Sequence, residues 1–328
     1  MGRSGSFIPA NESGHGGETD VNKGTDEVHA GLKSRRSLLG SEKGLKPEVK
    51  GTQGHRGSPA VEELRNLTQL VRLVGPRAAA SAAFERARNP RHLAWYATLR
   101  ESVRGKRGLE IGGPSPLFTN RGRVPLYELL GSCDNVDWAR RTIWADRKKE
   151  TTEFAPEGKV LGREYFSDAG SGTDVPEKTY DVIMSSHVLE HLANPVRAIK
   201  DWMQHLGPSG VLVIIVPEGA RMFDHSRPVT PLAHMSSDYE RNVDEHDLGH
   251  LEEVISLHDL RMDRAAGSRH DFEERCRNNP ANRAMHHHVF SPDSLCRLEE
   301  AVGLKVRLVA RVPMYSILTV ASLPGSPG

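Results

Sequence analysis

Apolar residues change their spacing partway along the chain. Over residues 61–74 they recur every three or four positions, which is the period of an amphipathic helix. Residues 78–87 and 93–103 continue this pattern on either side of the helix breaker Asn89-Pro90. We therefore predict an N-terminal helical cap over residues 59–104.

Beyond this cap, short apolar runs alternate with amphipathic stretches, which is typical of a parallel sheet covered by helices. The predicted strands lie at residues 107–112, 135–139, 162–166, 180–185, 210–216, 305–309 and 317–321. Helices are predicted at residues 195–206 and 295–302. The pattern predicts an α/β fold with a mostly parallel seven-stranded sheet and helices on both faces.

Other segments do not follow this alternation. Residues 1–58 hold too few apolar side chains to offset the entropy lost on ordering, so we predict a disordered tail there, with a short second tail at 324–328. Residues 218–285 are polar and rich in histidine, and they stand where an ordinary connection has only a few residues. We predict that they form an inserted lid on a domain spanning residues 105–323.

Composition narrows the possible partners. The 328 residues include 44 Lys plus Arg and 43 Asp plus Glu, so the net charge of +1 provides no global field to attract nucleic acid or an anionic membrane. The three cysteines form no Cys-x-x-Cys pair, which argues against a disulfide framework or a thiolate zinc site. No apolar run approaches the roughly 20 residues that span a bilayer. We expect a soluble, cytoplasmic protein without a nucleic-acid partner or stable membrane insertion, and the sequence does not indicate an oligomeric state.

A glycine-containing motif, Glu110-Ile111-Gly112-Gly113-Pro114-Ser115, ends the first predicted strand. Ligands of open α/β sheets bind at the carboxyl ends of strands, where loops leave backbone N–H groups free. Adjacent glycines allow a sharp turn and close approach of the backbone, and Ser115-Pro116 has the pattern of an N-cap followed by a first-turn proline. By itself the motif also fits an ordinary strand-to-helix turn.

A second set of motifs favours the ligand-binding interpretation. Residues 180–192 read YDVIMSSHVLEHL, and Asn194-Pro195 and Gly207-Pro208-Ser209-Gly210 follow in order. Together with His288-Val289-Phe290-Ser291-Pro292, they resemble the class I S-adenosylmethionine-dependent methyltransferase family, in its small-molecule (type 11) branch. The resemblance covers residues 105–321 apart from the insertion. It implies a Rossmann-like methyltransferase fold, S-adenosyl-L-methionine as cofactor and a small-molecule acceptor.

The resemblance also implies cofactor contacts at particular residues. The amino-acid end would meet the glycine loop, Asp137 would accept hydrogen bonds from the ribose with Asp146 as a rival, and Asp168-Ala169 would meet the adenine. The full predicted set is Glu110, Gly112, Gly113, Asp137, Asp168, Ala169 and Ser185. Pro114 and Pro116 replace further glycines of the family pattern and stiffen the loop. Residues 120–123 interrupt the helix that the family pattern has after this loop, so only residues 125–130 are expected to remain of that helix.

His187, at the end of the fourth predicted strand, is the catalytic candidate. An imidazole titrates near neutrality, which suits a general base for an alcohol acceptor. A packing or substrate-binding role is the alternative. Since some quinone O-methyltransferases of the family hold a divalent ion in this turn, His187, Glu190 and His191 form an alternative ion site. Hydrogen bonds to the helix start are the favoured role of Glu190 and His191, and no metal ligand is assigned.

The insertion contains further candidates. His246 and His250 are four residues apart, so a helix would place both imidazoles on one face. Arg227 or a histidine of the insertion is a candidate to meet an acidic or polyhydroxylated acceptor, and a purely structural insertion is the alternative.

These observations predict an S-adenosylmethionine-dependent methyltransferase that acts on oxygen or nitrogen of a small molecule, with a sugar or glycan-linked metabolite among the candidate acceptors. Two alternatives stay open. The two prolines of the glycine loop suggest a catalytically inactive binding protein with this fold. The histidines of residues 218–285 suggest a metal-binding protein.

Overall fold

An eight-stranded sheet organises the part of the chain that the structure describes. The structure is a computed structural model, and it describes residues 68, 71–80, 83–84, 90–139, 152–170 and 172–326. The strands are β1 (Arg107–Ile111), β2 (Ser132–Asp137), β3 (Glu153–Phe154), β4 (Gly162–Phe166), β5 (Tyr180–Ser186), β6 (Leu206–Pro217), β7 (Lys305–Val312) and β8 (Ser316–Ser322). The predicted tail of residues 1–58 lies outside the described residues.

The strand order is β3-β4-β2-β1-β5-β6-β8-β7. Strands β4, β2, β1, β5 and β6 run parallel, while β8 and β7 are antiparallel to their neighbours. The predicted α/β, Rossmann-like class with a mostly parallel sheet is therefore confirmed. The eighth strand is β3, a two-residue antiparallel pair on the edge of β4, and it is too short to leave a pattern in the sequence.

Two strands begin at least three residues before their predicted starts. Strand β2 begins at Ser132 rather than residue 135, because polar residues that do not resemble a strand pattern are buried there by partners from other strands. Strand β6 begins at Leu206, directly after the helix that precedes it, so the Gly207-Pro208-Ser209-Gly210 run predicted as a turn lies inside the strand.

Helices cover both faces of the sheet, as predicted. They are α1 (residues 71–80), α2 (Ala94–Val103), α3 (Pro195–His205), α4 (Leu232–Glu240), α5 (Leu251–Leu257), α6 (Arg269–Arg277), α7 (Asn279–Asn282) and α8 (Pro292–Ala301). One apolar cluster lies between the sheet and α3, α4 and α8, and a second lies between the opposite face and α2. Strand β5 supplies Ile183 to the first cluster and Val182 and Met184 to the second, as the two-residue period of a strand requires.

Helix α3 shows how local sequence fixes an element. The Asn194 side chain accepts a hydrogen bond from the Arg197 N–H at 3.0 Å, and Pro195 occupies the first turn. The helix buries Trp202, whose indole N–H donates to the Ala169 carbonyl at 2.8 Å. This bond connects the helix to the loop after β4.

About half of residues 218–285 are helical, whereas no helix was predicted there. They contain α4 to α7 and a small apolar core of their own, formed by Leu251, Val254, Ala266, Phe272, Cys276 and Met285. At its start the insertion is joined to the sheet, because the Glu218 N–H donates to the Tyr315 carbonyl at 2.6 Å. No helix among the described residues is long and apolar enough to cross a membrane.

A buried acid lies between α8 and the sheet. Glu299 has no exposed surface, and its Oε1 accepts a hydrogen bond from the Thr319 hydroxyl at 2.8 Å. Its Oε2 has no hydrogen-bond partner among the described residues. Burial raises the pKa of Glu299 from 4.5 to about 8.

Replacement of Glu299 by Gln is expected to change how stability depends on pH. The folded protein keeps a proton on Glu299 that the unfolded chain releases above its ordinary pKa of 4.5, so wild-type stability is lost as pH rises toward about 8. Between pH 5 and pH 8 the variant should gain about 3 kcal/mol relative to wild type. Urea unfolding across this range measures the difference.

Glu300→Gln provides the matched control, because Glu300 is the next residue on α8 and is exposed. The free energy of unfolding of Glu300→Gln relative to wild type should not rise between pH 5 and pH 8 as that of Glu299→Gln does. Parallel pH curves for Glu299→Gln and wild type would show that Glu299 is ionised in the folded protein.

Candidate functional site

The carboxyl ends of the parallel strands meet at one edge of the sheet. In the pairing register, Ile111 at the end of β1 lies beside Val136 of β2 and Ser185 of β5. Asp137 pairs with Phe166 of β4. The loops after these four strands therefore open at the same edge, which is where ligands bind in open α/β sheets.

Two buried polar side chains hold the glycine loop from beneath. Glu110 has no exposed surface, and its carboxylate accepts from the Ser115 N–H at 2.9 Å and from the Tyr127 hydroxyl at 2.8 Å. Asn135 accepts from the Gly113 N–H at 2.8 Å and donates to Glu164 Oε1 at 2.6 Å. Burial and the adjacent Glu110 carboxylate raise the pKa of Tyr127 far above its usual range, so Tyr127 remains a donor.

The packing of this loop explains both glycines. Gly112 has a φ of +77°, and a Cβ there would overlap the Val188 side chain. A Cβ on Gly113 would overlap the Glu110 carboxylate and lie 2.6 Å from Asn135 Oδ1. The Gly112 N–H donates to the Val136 carbonyl at 2.7 Å, so both glycine N–H groups are engaged inside the protein.

The helix that usually follows such a loop is replaced by a short turn. Ser115 caps a single 3-10 turn, Pro116–Phe118, and its side chain accepts from the Leu117 N–H at 3.2 Å. The chain then folds back, with the Val124 N–H donating to the Leu117 carbonyl at 2.9 Å. The predicted N-cap is therefore present, while the predicted helical remnant at residues 125–130 is a turn.

Asp137 lies at the end of β2, in the position predicted to face a ribose. It is 7% exposed, and its Oδ1 accepts from the N–H of Trp138 at 2.8 Å. The Trp138 indole nitrogen is buried and has no hydrogen-bond partner among the described residues. The rival Asp146 lies outside the described residues.

The predicted adenine acid, Asp168, is engaged by the insertion. Its Oδ2 accepts from Arg283 at 2.9 Å, and Arg283 also pairs with Glu245 at 2.5 Å. The Arg283 guanidinium lies 5.4 Å from the centre of the Trp138 ring. Part of the insertion thus reaches the loops after β2 and β4, where Ala169 is 7% exposed.

His187 stands between a carboxylate and a hydroxyl at the end of β5. Its Nδ1 lies 3.4 Å from Glu190 Oε1, and its Nε2 lies 3.0 Å from the Ser316 hydroxyl. Glu190 Oε1 has no hydrogen-bond partner among the described residues, so its contact with Nδ1 is electrostatic. A proton on Nδ1 would face this carboxylate, which only accepts, and would leave the Nε2 lone pair toward Ser316. The backbone of His187 is left-handed, with a φ of 56°, a strained conformation that often occurs at functional sites.

Behind His187 lies a buried group of charged and polar side chains. Glu190 has no exposed surface, and although burial opposes ionisation, His187, His191 and His286 lower its pKa. Burial lowers the pKa of His191 to about 3, and His191 Nδ1 lies 3.3 Å from the Met285 carbonyl. His286 instead pairs with Asp224 at 2.6 Å.

Two interpretations of the insertion need correction. Arg227 is 4% exposed, and its guanidinium binds Asp224, Glu253 and the carbonyls of His286 and His287, so it is not free to meet an acceptor. His246 and His250 do not share a helix face, because α5 begins only at Leu251. His246 is exposed and pairs with Asp244 at 3.3 Å.

Several residues of the site were missed by the sequence analysis. Ser316, the first residue of β8, and Tyr315, which precedes it, both contact His187, and the Tyr315 ring lies edge-on to the imidazole at 6.0 Å. Asn135 lies inside a strand that looked irregular. One pair of polar residues could have been recognised from its spacing: His234 and Asp238 are four residues apart, and α4 places both on one face.

The strand order is that of a Rossmann-like methyltransferase. A family model described as a methyltransferase domain matches residues 83–309, so the chain belongs to the methyltransferase domain family. It is an enzyme of the S-adenosylmethionine-dependent type. None of the curated proteins matches the chain.

Three solved structures illustrate the similarity. An S-adenosylmethionine-dependent methyltransferase from Aquifex aeolicus is 13% identical, with a TM-score of 0.39 and coverage of 70% of this chain and 88% of that chain. One from Methanosarcina mazei is 15% identical, with a TM-score of 0.40 and coverage of 70% and 99%. The trans-methyltransferase CalH, in complex with SAH, is 17% identical, with a TM-score of 0.40 and coverage of 70% and 54%.

The residues at the sheet edge fit a polar cofactor of this kind. Trp138 Nε1, Ser185 Oγ and Ser186 Oγ are buried at the ends of β2 and β5 and have no hydrogen-bond partner among the described residues. Buried polar atoms are usually paired, so those without a partner indicate where a ligand would supply one.

Gly113→Ala is expected to disrupt the loop. The added Cβ overlaps Glu110 and crowds Asn135, both of which are buried, so the free energy of unfolding should fall by about 1–3 kcal/mol. Affinity for S-adenosylhomocysteine should fall as well, because the loop must move. Denaturant unfolding and calorimetry measure the two effects.

Gly158→Ala is the control, because its Cβ would meet nothing within 4 Å and only the φ of +80° opposes it. It should cost about 1 kcal/mol and leave affinity for S-adenosylhomocysteine unchanged. Equal affinities for all three proteins would show that this loop does not contribute to the cofactor site.

Proposed function

We propose that the chain transfers the methyl group of S-adenosylmethionine to a hydroxyl oxygen of a small polar molecule, with a sugar or glycan-linked metabolite as the leading acceptor class. Nitrogen is the second candidate acceptor atom. The observation that carries the proposal is the series Glu190, His187, Ser316, in which an imidazole is oriented by a buried carboxylate and faces a hydroxyl.

The proposed cofactor contacts follow the sheet edge. The loop at Glu110, Gly112 and Gly113 would receive the amino-acid end, and Asp137 the ribose. Asp168 and Ala169 would receive the adenine, and Ser185 would complete the site from β5. When bound, the cofactor supplies a methyl group on a sulfonium centre, which is activated toward a nucleophile.

His187 has the properties that a base for an alcohol requires. The buried Glu190 carboxylate, 3.4 Å from Nδ1, favours the tautomer with the proton on Nδ1, in which Nε2 is the acceptor. The Ser316 hydroxyl, 3.0 Å from Nε2, shows that a hydroxyl fits at hydrogen-bond distance there. The His187 side chain is 30% exposed, so a second hydroxyl can approach. As the acceptor oxygen gains a methyl group, its proton would pass to Nε2.

The insertion is proposed to close over the acceptor. Arg283 and Glu245 support this role, because they connect the insertion to Asp168 at the sheet edge. A polar, histidine-rich wall suits a hydroxylated acceptor better than an apolar one. A cytoplasmic location is part of the proposal, and the three cysteines are free thiols.

The proposal requires cofactor binding, which calorimetry with S-adenosylmethionine and S-adenosylhomocysteine measures on the folded full-length protein. Asp137→Asn should weaken both ligands at least tenfold, because one acceptor oxygen for the ribose diol is lost. No heat of binding to the folded wild-type protein would contradict the proposal.

His187→Gln should lower kcat by about 10²- to 10⁴-fold and leave the Kd of S-adenosylhomocysteine unchanged, because the amide cannot take up a proton. The measurement is methyl transfer to a panel of sugars and glycan-linked hydroxyl compounds. His270→Ala is the control, since His270 is 79% exposed and makes only a long contact with Glu274. Equal activity of His187→Gln and wild type would remove His187 from the catalytic role.

A binding protein that has lost catalysis is the second candidate. It is favoured by Pro114 and Pro116 in the loop and by the engagement of Asp168 with Arg283. Tight binding of S-adenosylhomocysteine without methyl transfer to any acceptor of the panel would select it.

A further inference from the structure

Four potential metal ligands meet where the insertion packs against the turn that follows β5. His234 and Asp238 lie one turn apart on α4, His250 immediately precedes α5, and His288 lies in the segment that leads to α8. One ligand atom from each side chain lies within 4.8 Å of the other three. Three separate parts of the chain therefore converge on one point.

The distances within this cluster suit a single ion. His234 Nε2 lies 3.0 Å from His250 Nε2 and 3.3 Å from Asp238 Oδ2. The His288 ring lies close to the same Asp238 oxygen, with its Nε2 at 3.9 Å. Ligand atoms about 2.1 Å from one ion are at most about 4.2 Å apart, so small side-chain rotations bring all four into range.

Two buried atoms of the cluster have no hydrogen-bond partner among the described residues. Asp238 is 2% exposed, and Arg241 binds its Oδ1 at 2.6 Å, while Oδ2 has no hydrogen bond. His288 is 1% exposed, and its Nε2 lies 3.2 Å from the Ala193 carbonyl. A carbonyl only accepts, so Nε2 carries the proton, and the lone pair on Nδ1 is buried without a partner.

We propose that His234, Asp238, His250 and His288 bind one divalent transition-metal ion, with Zn²⁺ as the leading candidate. Three imidazoles and one carboxylate are ligands that zinc accepts in a four-coordinate site. The surrounding contacts have the form of supporting bonds to metal ligands, with the Ala193 carbonyl on His288 and Arg241 on the second oxygen of Asp238. The sequence alone assigned no metal ligand and left a metal-binding insertion as an alternative, and the proposed site takes up that alternative with His288 added from outside the insertion.

The ion would have a structural role. Asn194, the cap of α3, donates to the Asp238 carbonyl at 3.1 Å, so α4 already rests on the turn that follows β5. An ion would hold α4, α5 and His288 together beside this turn. Glu190, His191 and His286 form a second group with suitable spacing, but it offers only three ligands, and His286 is paired with Asp224.

Zinc binding can be tested on full-length protein purified without a metal-affinity column and treated with a chelator. Elemental analysis after addition of Zn²⁺ and removal of excess should give one equivalent. Competition with a chromophoric chelator gives the Kd, which His234→Gln and Asp238→Asn should each raise about 100-fold or more. Zn²⁺ at about 100 times the Kd should raise the Tm of wild type by about 5–10 °C and should raise that of His234→Gln far less.

Two controls separate this site from other histidines. His246→Ala changes an exposed histidine of the same insertion and should retain wild-type affinity. Glu190→Gln changes the second group and should also retain it. The His234 side chain is 40% exposed, so its replacement is not expected to prevent folding, and circular dichroism checks this.

Three results would overturn the assignment: folded wild-type protein without stoichiometric zinc, equal affinity of wild type and both ligand variants, or loss of zinc in Glu190→Gln with retention in His234→Gln. Each readout is independent of methyl transfer. If zinc does not bind, the proposed enzymatic function still stands. If methyl transfer is not found, the proposed zinc site still stands.

Discussion

The hydrogen bonds that Glu110 and Asn135 make beneath the loop after β1 are the constraint on which the site depends. Glu110 holds the far side of the loop through Ser115 and Tyr127, while Asn135 connects the Gly113 N–H to Glu164 on β4. These groups are buried, so losing one partner would leave another polar group unsatisfied, at a cost of about 1–3 kcal/mol. The network keeps the ends of β1, β2 and β4 in register although no full helix follows the first strand.

The sequence predicted the fold class because most strands are read from local apolar runs. It missed the residues of β2 before Asn135 because Asp134, a polar residue, is buried by partners far along the chain. Asp134 accepts from the Tyr180 hydroxyl at 2.9 Å and from the Arg163 N–H at 2.7 Å. The spacing of residues along a strand does not predict hydrogen bonds to such distant residues. The helices of residues 218–285 were missed for a similar reason, since their apolar residues are few and pack on one another.

The candidate site was predicted unevenly. Asp137, Asp168 and His187 lie at the strand ends where the family resemblance places them, while their contacts with the cofactor stay predictions. The partners of these residues came from distant segments: Ser316 for His187 and Arg283 for Asp168. The histidines show most clearly that spacing in the sequence does not determine which side chains meet in space. His246 and His250 have helical spacing but no shared helix, whereas His234 and His288, far apart in sequence, meet in space.

The clamp around Arg227 has a consequence for movement of the insertion. Its guanidinium side chain is fully buried and has two carboxylate and two carbonyl partners, so releasing it would cost about 3–5 kcal/mol. The contact of Arg283 with Asp168 is partly exposed and weaker. The insertion is therefore fixed at Arg227, and the contact of Arg283 with Asp168 is the weaker of the two attachments. A ligand that competes for Asp168 could break this weaker contact while the Arg227 clamp stays closed.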